Sequence, residues 1–511
     1  MNASATVTGM IDIGSNTVRL AVYQVSSEGA YRVIDQGRWS ARLSQKLAED
    51  GTLPDATLAE LAEVLRHYGS ICNMHGAKQI RAVATAAIRQ AANRDVALQR
   101  LKRETGLSVE LLSGKDEARY GSVAMLRTMD FSDAFLVDIG GGSTEISLIL
   151  GRKVAASVSF PIGCVNTAAR WSLNGNPVPP ALLEKIEAAA RKLFEGEPWI
   201  SSHPGLPLIG LGGTVRALAK FRQRSDNYPL SNLHGFEIEP RLLDESVGML
   251  AALNVEKRRK VPGLSKDRTD VIVPGLAILR AVLKSAAASR IVVCGAGIRD
   301  GLFFETCLPR EKTPSPQDVL NESVRNLTTL YPAAPREHLA QVNRLALDLF
   351  DRLAPAAGLG EPSRKWLDAA SRLFRIGAVI DYNECANHTF YLLLNAHWYG
   401  LSHRETLITA AIASYRGPSQ LRRKLAPYRT ILKDGDVEAS ARLGVLLQLA
   451  AALDRSESQG IVDLDVAVEK GKSLVLTARA RHPLPMEKME VESIAKDFKK
   501  CWGLSPKLKA R

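Results

Sequence analysis

The chain has 511 residues, 46% hydrophobic and 24% charged, with a formal net charge of +13 at pH 7 and six cysteines. Such a length calls for about three domains with ample core, and the composition excludes disordered and collagen-like classes. No apolar run reaches the roughly 18 residues a membrane span needs, because Pro274, Gly275 and Arg280 break the best candidate.

The N-terminus lacks a basic stretch followed by an apolar core, so no secretory signal is expected. Cys72, Cys164, Cys294, Cys307, Cys385 and Cys501 show no C-x-x-C pair or metal spacing, which fits reduced thiols and a cytoplasmic location. The positive charge reads either as a generally basic surface or as long-range attraction for a polyanion. No zinc finger, RNP-like motif or recognisable helix-turn-helix is present, so a stable nucleic-acid partner is not expected. A phosphate polymer or a highly phosphorylated nucleotide suits the motifs better.

The first of those motifs is Met10-Ile11-Asp12-Ile13-Gly14-Ser15-Asn16-Thr17-Val18-Arg19-Leu20. It returns as Val137-Asp138-Ile139-Gly140-Gly141-Gly142-Ser143-Thr144-Glu145-Ile146-Ser147. Each copy runs apolar residue, Asp, apolar residue, Gly-rich turn, then alternation (Val18, Leu20, Val22; Ile146, Leu148, Leu150), which is the period of a strand. The turn therefore joins strand to strand, unlike a P-loop, which leads into a helix. Backbone N–H groups and the hydroxyls of Ser15, Thr17, Ser143 and Thr144, with the Asn16 amide, make two anion-binding concavities in a duplicated fold. Asp12 and Asp138 would repel a phosphate, so each either holds a divalent cation or caps its own turn.

Between and beyond the hairpins, Arg89 stands in an Ala/Thr segment with a fork of donors suited to phosphate. Gly114 precedes a helix whose first turn carries Glu117. That carboxylate either activates water or complements the positive helix end. Glu145 follows the second turn directly. Gly212-Gly213-Thr214 opens a further helix, and Lys257-Arg258-Arg259-Lys260 reads as a solvated helix face or a polyanion track. After Pro309, Pro314 and Pro316 the texture becomes helical, with Val342, Leu345, Ala346, Leu349, Phe350 and Leu353 on one face, until a strand-like tail near residues 474–478.

These residues support a family resemblance. Ile11–Asn16, Ala84–Arg89 with Asn93, Ser113-Gly114 with Glu117-Ala118-Arg119, and Asp138–Glu145 are its first matching segments. Gly212–Thr214, Leu233-His234-Gly235, Arg268 with Asp270, and Gly297–Gly301 complete the ordered set. Together they resemble the exopolyphosphatase and guanosine pentaphosphate phosphatase family of the actin–hexokinase superfamily.

The resemblance implies an α/β fold of two duplicated actin-like (ribonuclease H-like) lobes, 1–128 and 129–308, followed by an all-helical HD-like domain, 309–511. It implies hydrolysis of terminal phosphoanhydrides with a divalent metal, usually Mg2+; a homodimer is expected. Glu117 and Glu145 would be catalytic. Gly14, Ser15, Asn16, Thr17, Arg89, Gly141, Gly142, Ser143, Thr144, Gly212, Gly213 and Thr214 would meet phosphate, and Asp12, Asp138 and Glu145 the metal. The expected activity is removal of terminal phosphate from inorganic polyphosphate. Guanosine pentaphosphate is the alternative substrate; a small-molecule kinase and a non-catalytic polyphosphate or alarmone sensor are the alternatives in kind.

The C-terminal domain departs from the HD pattern. Phe374 and Arg375 stand where the His-Asp pair is expected, and Arg416 where another His is expected. Neither Phe nor Arg ligates a metal. His338, His388 and Asp454 remain, too few for a metal cage, so this domain is expected to serve dimerisation or to guide a polyanion through Arg375 and Arg416.

Overall fold

The structure, a computed structural model, describes residues 5–173 and 175–510. Two compact units divide the chain, the first ending at Val319 and the second starting at Leu320.

The first unit is built on two sheets. Strands β1 (Thr6–Ile13), β2 (Val18–Val25), β3 (Tyr31–Trp39), β4 (Gln79–Ala84) and β5 (Val109–Leu111) form one sheet in the order β3-β2-β1-β4-β5. Strands β6 (Ala134–Ile139), β7 (Thr144–Leu150), β8 (Lys153–Phe160), β9 (Leu208–Leu211), β10 (Glu237–Ile238) and β11 (Ile291–Val293) form the other in the order β10-β11-β9-β6-β7-β8. The run β8-β7-β6-β9-β11 repeats the first sheet strand for strand, with two antiparallel pairings and then two parallel ones. The duplication expected from the two motifs is the duplication of the sheets.

Both sheets are buried on both faces. Along β2, Val18, Leu20 and Val22 join one core with Leu58, Leu61 and Leu65 of the helix Asp55–Met74. The intervening Ala21 and Tyr23 join another with Phe303 and Phe304. Along β7, Ile146 and Leu148 face a core shared with the helix Ile272–Ser285, while Ile149 faces Met125 and Leu126. Each fully buried aliphatic side chain contributes roughly 1.5–3 kcal/mol. That grip holds the Gly-rich turns at the strand ends in fixed register.

In the second unit the helix Arg336–Leu353 buries the face that its spacing predicts, Val342, Leu345, Ala346, Leu349, Phe350 and Leu353. Helices continue to Ala452. Strands β12 (Ile461–Glu469), β13 (Ser473–Ala480) and β14 (Ser505–Ala510) then form a sheet, with a helix Pro485–Trp502 crossing between β13 and β14. The sequence pattern points only to β13. The parallel β13–β14 pairing joins residues across that whole crossover, and a local pattern does not display it.

Among the described residues no helix is long and apolar enough to cross a membrane, and all six cysteines are free.

Candidate active site

The two Gly-rich turns have the same closed geometry. Gly14 N–H donates to the Thr17 carbonyl at 3.1 Å, and Gly140 N–H to the Ser143 carbonyl at 2.9 Å. Their carbonyl edges are tied back to the protein. Ser15 and Asn16 carbonyls accept from the amides of Ser44 and Arg42, and Gly140 and Gly141 carbonyls from those of Cys164 and Val165. The Asn166 amide holds the Gly142 carbonyl at 2.9 Å. What remains for a ligand is the amide edge of each turn, the donor concavity a phosphate needs. The turns face each other closely: a Cβ built on Gly141 would lie 2.9 Å from Ser15 Cβ. Between them opens a cavity of about 110 Å³.

Glu117 enters this cavity from the first turn of the helix Gly114–Thr128. The capping box at that end is closed by Ser113 and Asp116, so the helix terminus is served by Asp116 and Glu117 is left for the cleft. Gly114 matters because a Cβ there would lie 2.5 Å from Ser159 Cβ. Its absence lets the helix approach β8, where Ser159 Oγ donates to Glu145 Oε1 at 2.7 Å. Glu117 is 6% exposed, and burial lifts its carboxyl from 4.5 to about 7, against the lowering effect of its ion pair with Arg89. Burial and the neighbouring Glu117 push the Glu145 carboxyl well up as well.

At the strand ends, burial raises both Asp12 and Asp138. Asp12 Oδ1 is enclosed without a hydrogen-bond partner, as are Asn16 Nδ2 and Thr17 Oγ1. Leaving such groups unsatisfied costs about 1–3 kcal/mol each, which a bound anion and cation would recover. Four arginines also line the cavity: Arg19, Arg216, Arg268 and Arg299. None of them forms an ion pair among the described residues. Arg19 is pushed down to about 9 by burial and by the charges of Arg216 and Arg299. Arg268 keeps its charge unspent because its sequence neighbours Asp267 and Asp270 are taken by Arg38 and Arg42.

Comparison with known proteins matches this architecture. A family model described as "Ppx/GppA phosphatase family" covers residues 21–310, and one described as "Ppx/GppA phosphatase, domain III" covers 319–491. The chain belongs to the Ppx/GppA phosphatase family. The crystal structure of the Aquifex aeolicus family member is 28% identical, aligning 60% of this chain with 100% of its own at a TM-score of 0.53. An exopolyphosphatase from Cytophaga hutchinsonii shares the fold at 20% identity, with 59% of this chain and 97% of that one aligned and a TM-score of 0.54.

Within this Ppx/GppA cleft the structure brings together Asp12, Gly14, Ser15, Asn16, Thr17, Glu117, Asp138, Gly141, Ser143, Glu145, Gly212 and Gly213. Four of the expected phosphate-binding residues do not line it. Thr144 Oγ1 donates to the Ile162 carbonyl at 2.5 Å, and Thr214 Oγ1 to the Ile139 carbonyl at 3.3 Å, so both hydroxyls brace the second lobe. Gly142 gives its carbonyl to Asn166. Arg89 donates to the Leu112 carbonyl at 2.7 Å and pairs with Glu117, so its guanidinium positions the carboxylate.

Gly212 and Gly213 contribute by what they lack. Gly212 has φ +76°, and a Cβ there would fall 2.1 Å from Asp138 Oδ1; one on Gly213 would overlap the Arg268 guanidinium.

The four arginines were not legible as site residues from local pattern, although Arg19 alternates with Val18 and Leu20 in a strand, which is a signal for the open end of a sheet. Asp300 also reaches the cleft wall, but both its oxygens are engaged, with Tyr23 Oη and the Gly297 amide. The run Lys257–Lys260 lines no part of the cleft. Arg258 within it is 1% exposed and donates to the carbonyls of Leu250, Thr269 and Asn176.

Proposed function

We propose that this phosphatase is an exopolyphosphatase, removing the terminal phosphate of inorganic polyphosphate. The observation that supports this substrate is a second cavity continuous with the cleft. It shares Arg19, Gly213, Arg216, Arg268 and Arg299 with the cleft and adds Arg38, Lys220 and Arg224. No carboxylate of the described residues lines it, and its volume is about 1110 Å³. Six of these cations have no ion pair among the described residues, Arg38 being paired with Asp267, and together they suit a run of phosphates carrying charge along its length.

In this reading the terminal phosphoryl group lies between the two turns, with the remaining chain along the groove. Glu117 accepts a proton from water. The water oxygen then bonds to the terminal phosphorus while the bridging P–O bond breaks, and the departing chain leaves as an oxyanion among the arginines. A carboxyl near 7 suits that task, since a base works best when its pKa lies close to the operating pH. Arg89 aims it, and Glu145, held by Ser159, fixes the water from the other side.

The orphaned Asp12 oxygen and the hard oxygen donors of Asp12 and Asp138 fit a magnesium ion. Among the described residues no three His, Cys, Asp or Glu side chains form a metal cage. Magnesium is commonly held by one or two carboxylates with phosphate oxygens and water completing its shell. When bound it would neutralise charge developing on the phosphoryl oxygens.

One observation favours a nucleotide instead: the groove also carries Tyr228, Pro229 and Leu230, an apolar patch able to receive a base. Phosphate release from long-chain polyphosphate and from guanosine pentaphosphate, each with magnesium, decides between them. A kcat/KM at least ~10-fold higher for the polymer is expected. Preference for the pentaphosphate would reverse the assignment, and release from neither would leave a binding protein.

A further inference from the structure

The second unit contains a cavity of about 360 Å³ that the phosphatase reaction does not use. Its lining includes His338, Phe374, Arg375 and Arg416, the positions compared above with the HD-type pattern. His338 and Asp454, two of the three residues of that pattern that remain, bond to each other instead. His338 Nδ1 is 2.8 Å from Asp454 Oδ2, and the other Asp454 oxygen accepts from the Gln459 amide at 2.8 Å. With both oxygens engaged, and both residues buried, the pair is a structural post.

The working chemistry of the cavity lies in its arginines. Arg375, Arg416 and Arg455 line it, together with the carboxylates Glu457 and Glu490. Arg375 lies over the Tyr382 ring at 5.5 Å and meets Glu457 at 3.1 Å. Arg455 is 3.9 Å from Glu490, beyond hydrogen-bond reach, and Arg416 has no ion pair among the described residues. Ile412, Leu447 and Ile494 add apolar surface, and Phe374 stands against the His338 ring. The cavity therefore offers both forked N–H donors and apolar surface. Guanidinium groups match phosphate oxygens bidentately, and an aromatic or aliphatic wall suits a flat ring.

We propose that this cavity is a binding site for a short phosphate chain, gripped by Arg375, Arg416 and Arg455. Its carrier is either a nucleoside, whose base would lie on the apolar surface, or the inorganic chain itself. Substitution of a His-Asp pair by Phe374-Arg375 then exchanges metal-mediated phosphate binding for guanidinium-mediated binding, and the site holds its ligand independently of the cleft.

The test is calorimetric titration of the full-length chain, without magnesium, with tripolyphosphate and with ATP. It uses the Arg375→Ala/Arg416→Ala double variant beside the parent. At least one ligand should show two binding events in the parent, one of which weakens ~10-fold or more in the double variant. Tighter binding of ATP assigns a nucleoside carrier; equal or tighter binding of tripolyphosphate assigns the inorganic one. Identical isotherms in parent and variant would overturn the proposal. Phosphate release without added ATP serves as the check on folding, and Arg416→Ala alone, an exposed position, replaces the double variant if that fails.

Discussion

Asp12 stands opposite Arg19 in the β1–β2 pair, and Asp138 opposite Glu145 in the β6–β7 pair. Strand order, turn closure and the Asp are common to the two hairpins; the residue across from the Asp is a cation in one lobe and a carboxylate in the other. A duplicated backbone therefore delivers asymmetric chemistry to one point. The first lobe presents positive charge and orphaned donors, which suit gripping a phosphate. The second presents a carboxylate beside Glu117, which suits handling water. Duplication supplies the geometry, and a single position in each copy sets its charge.

That division can be broken at several places. The largest effect is expected at Glu117, which serves both lobes: Glu117→Gln should lower kcat by ~10³-fold, within the range for loss of a general base, while substrate still binds. Phosphate release paired with equilibrium binding measures this, and a variant retaining full turnover would remove Glu117 from the mechanism. Glu145→Gln should follow, with kcat down ~10²-fold and KM little changed, because in the proposed mechanism it acts on water and not on the chain.

Arg19→Ala should show the opposite split. KM would rise ~10-fold with kcat nearly preserved, and the loss of activity with added salt should become shallower, since one attractive charge is gone. If Arg19→Ala and Glu145→Gln gave the same pattern, the asymmetry would be only in sequence.

The pH profile sharpens the same point. Only the deprotonated Glu117 accepts a proton, and burial raises that carboxyl to about 7. Hence kcat/KM should climb as pH rises through about 7 and then level off; a rise centred near 4.5, the unperturbed value, would contradict the buried setting. The smallest effect is expected for Ser159→Ala, which frees one Glu145 oxygen and should cost about 1 kcal/mol, several-fold in kcat.

Much of this was legible in the order of residues. Alternation around Val18, Leu20, Val22 and Ile146, Leu148, Leu150 identified the strands, and the repeated Asp-x-Gly turn identified the duplication. The helical face from Val342 to Leu353 was readable for the same reason: it depends on periods of a few residues, set by backbone geometry. Glu117 was readable as a helix-start carboxylate, but the sequence left its role open. The closed capping box of Ser113 and Asp116 frees it for the cleft. Arg89 illustrates the limit. Its donor fork suits a phosphate wherever it sits, yet packing turns it onto Glu117 and the Leu112 carbonyl.

By itself the sequence determined the elements, the two turns and the residue types at the strand ends, because those follow from local stereochemistry and short-range periodicity. Only the tertiary structure decided which charges stay unpaired. Arg19, Arg216, Arg268 and Arg299 converge from distant segments, while Asp267 and Asp270 are drawn to Arg38 and Arg42 and His338 is matched to Asp454. Whether a charged group is spent on the protein or kept for a ligand depends on what the fold brings within a few ångströms of it. No local pattern carries that distance.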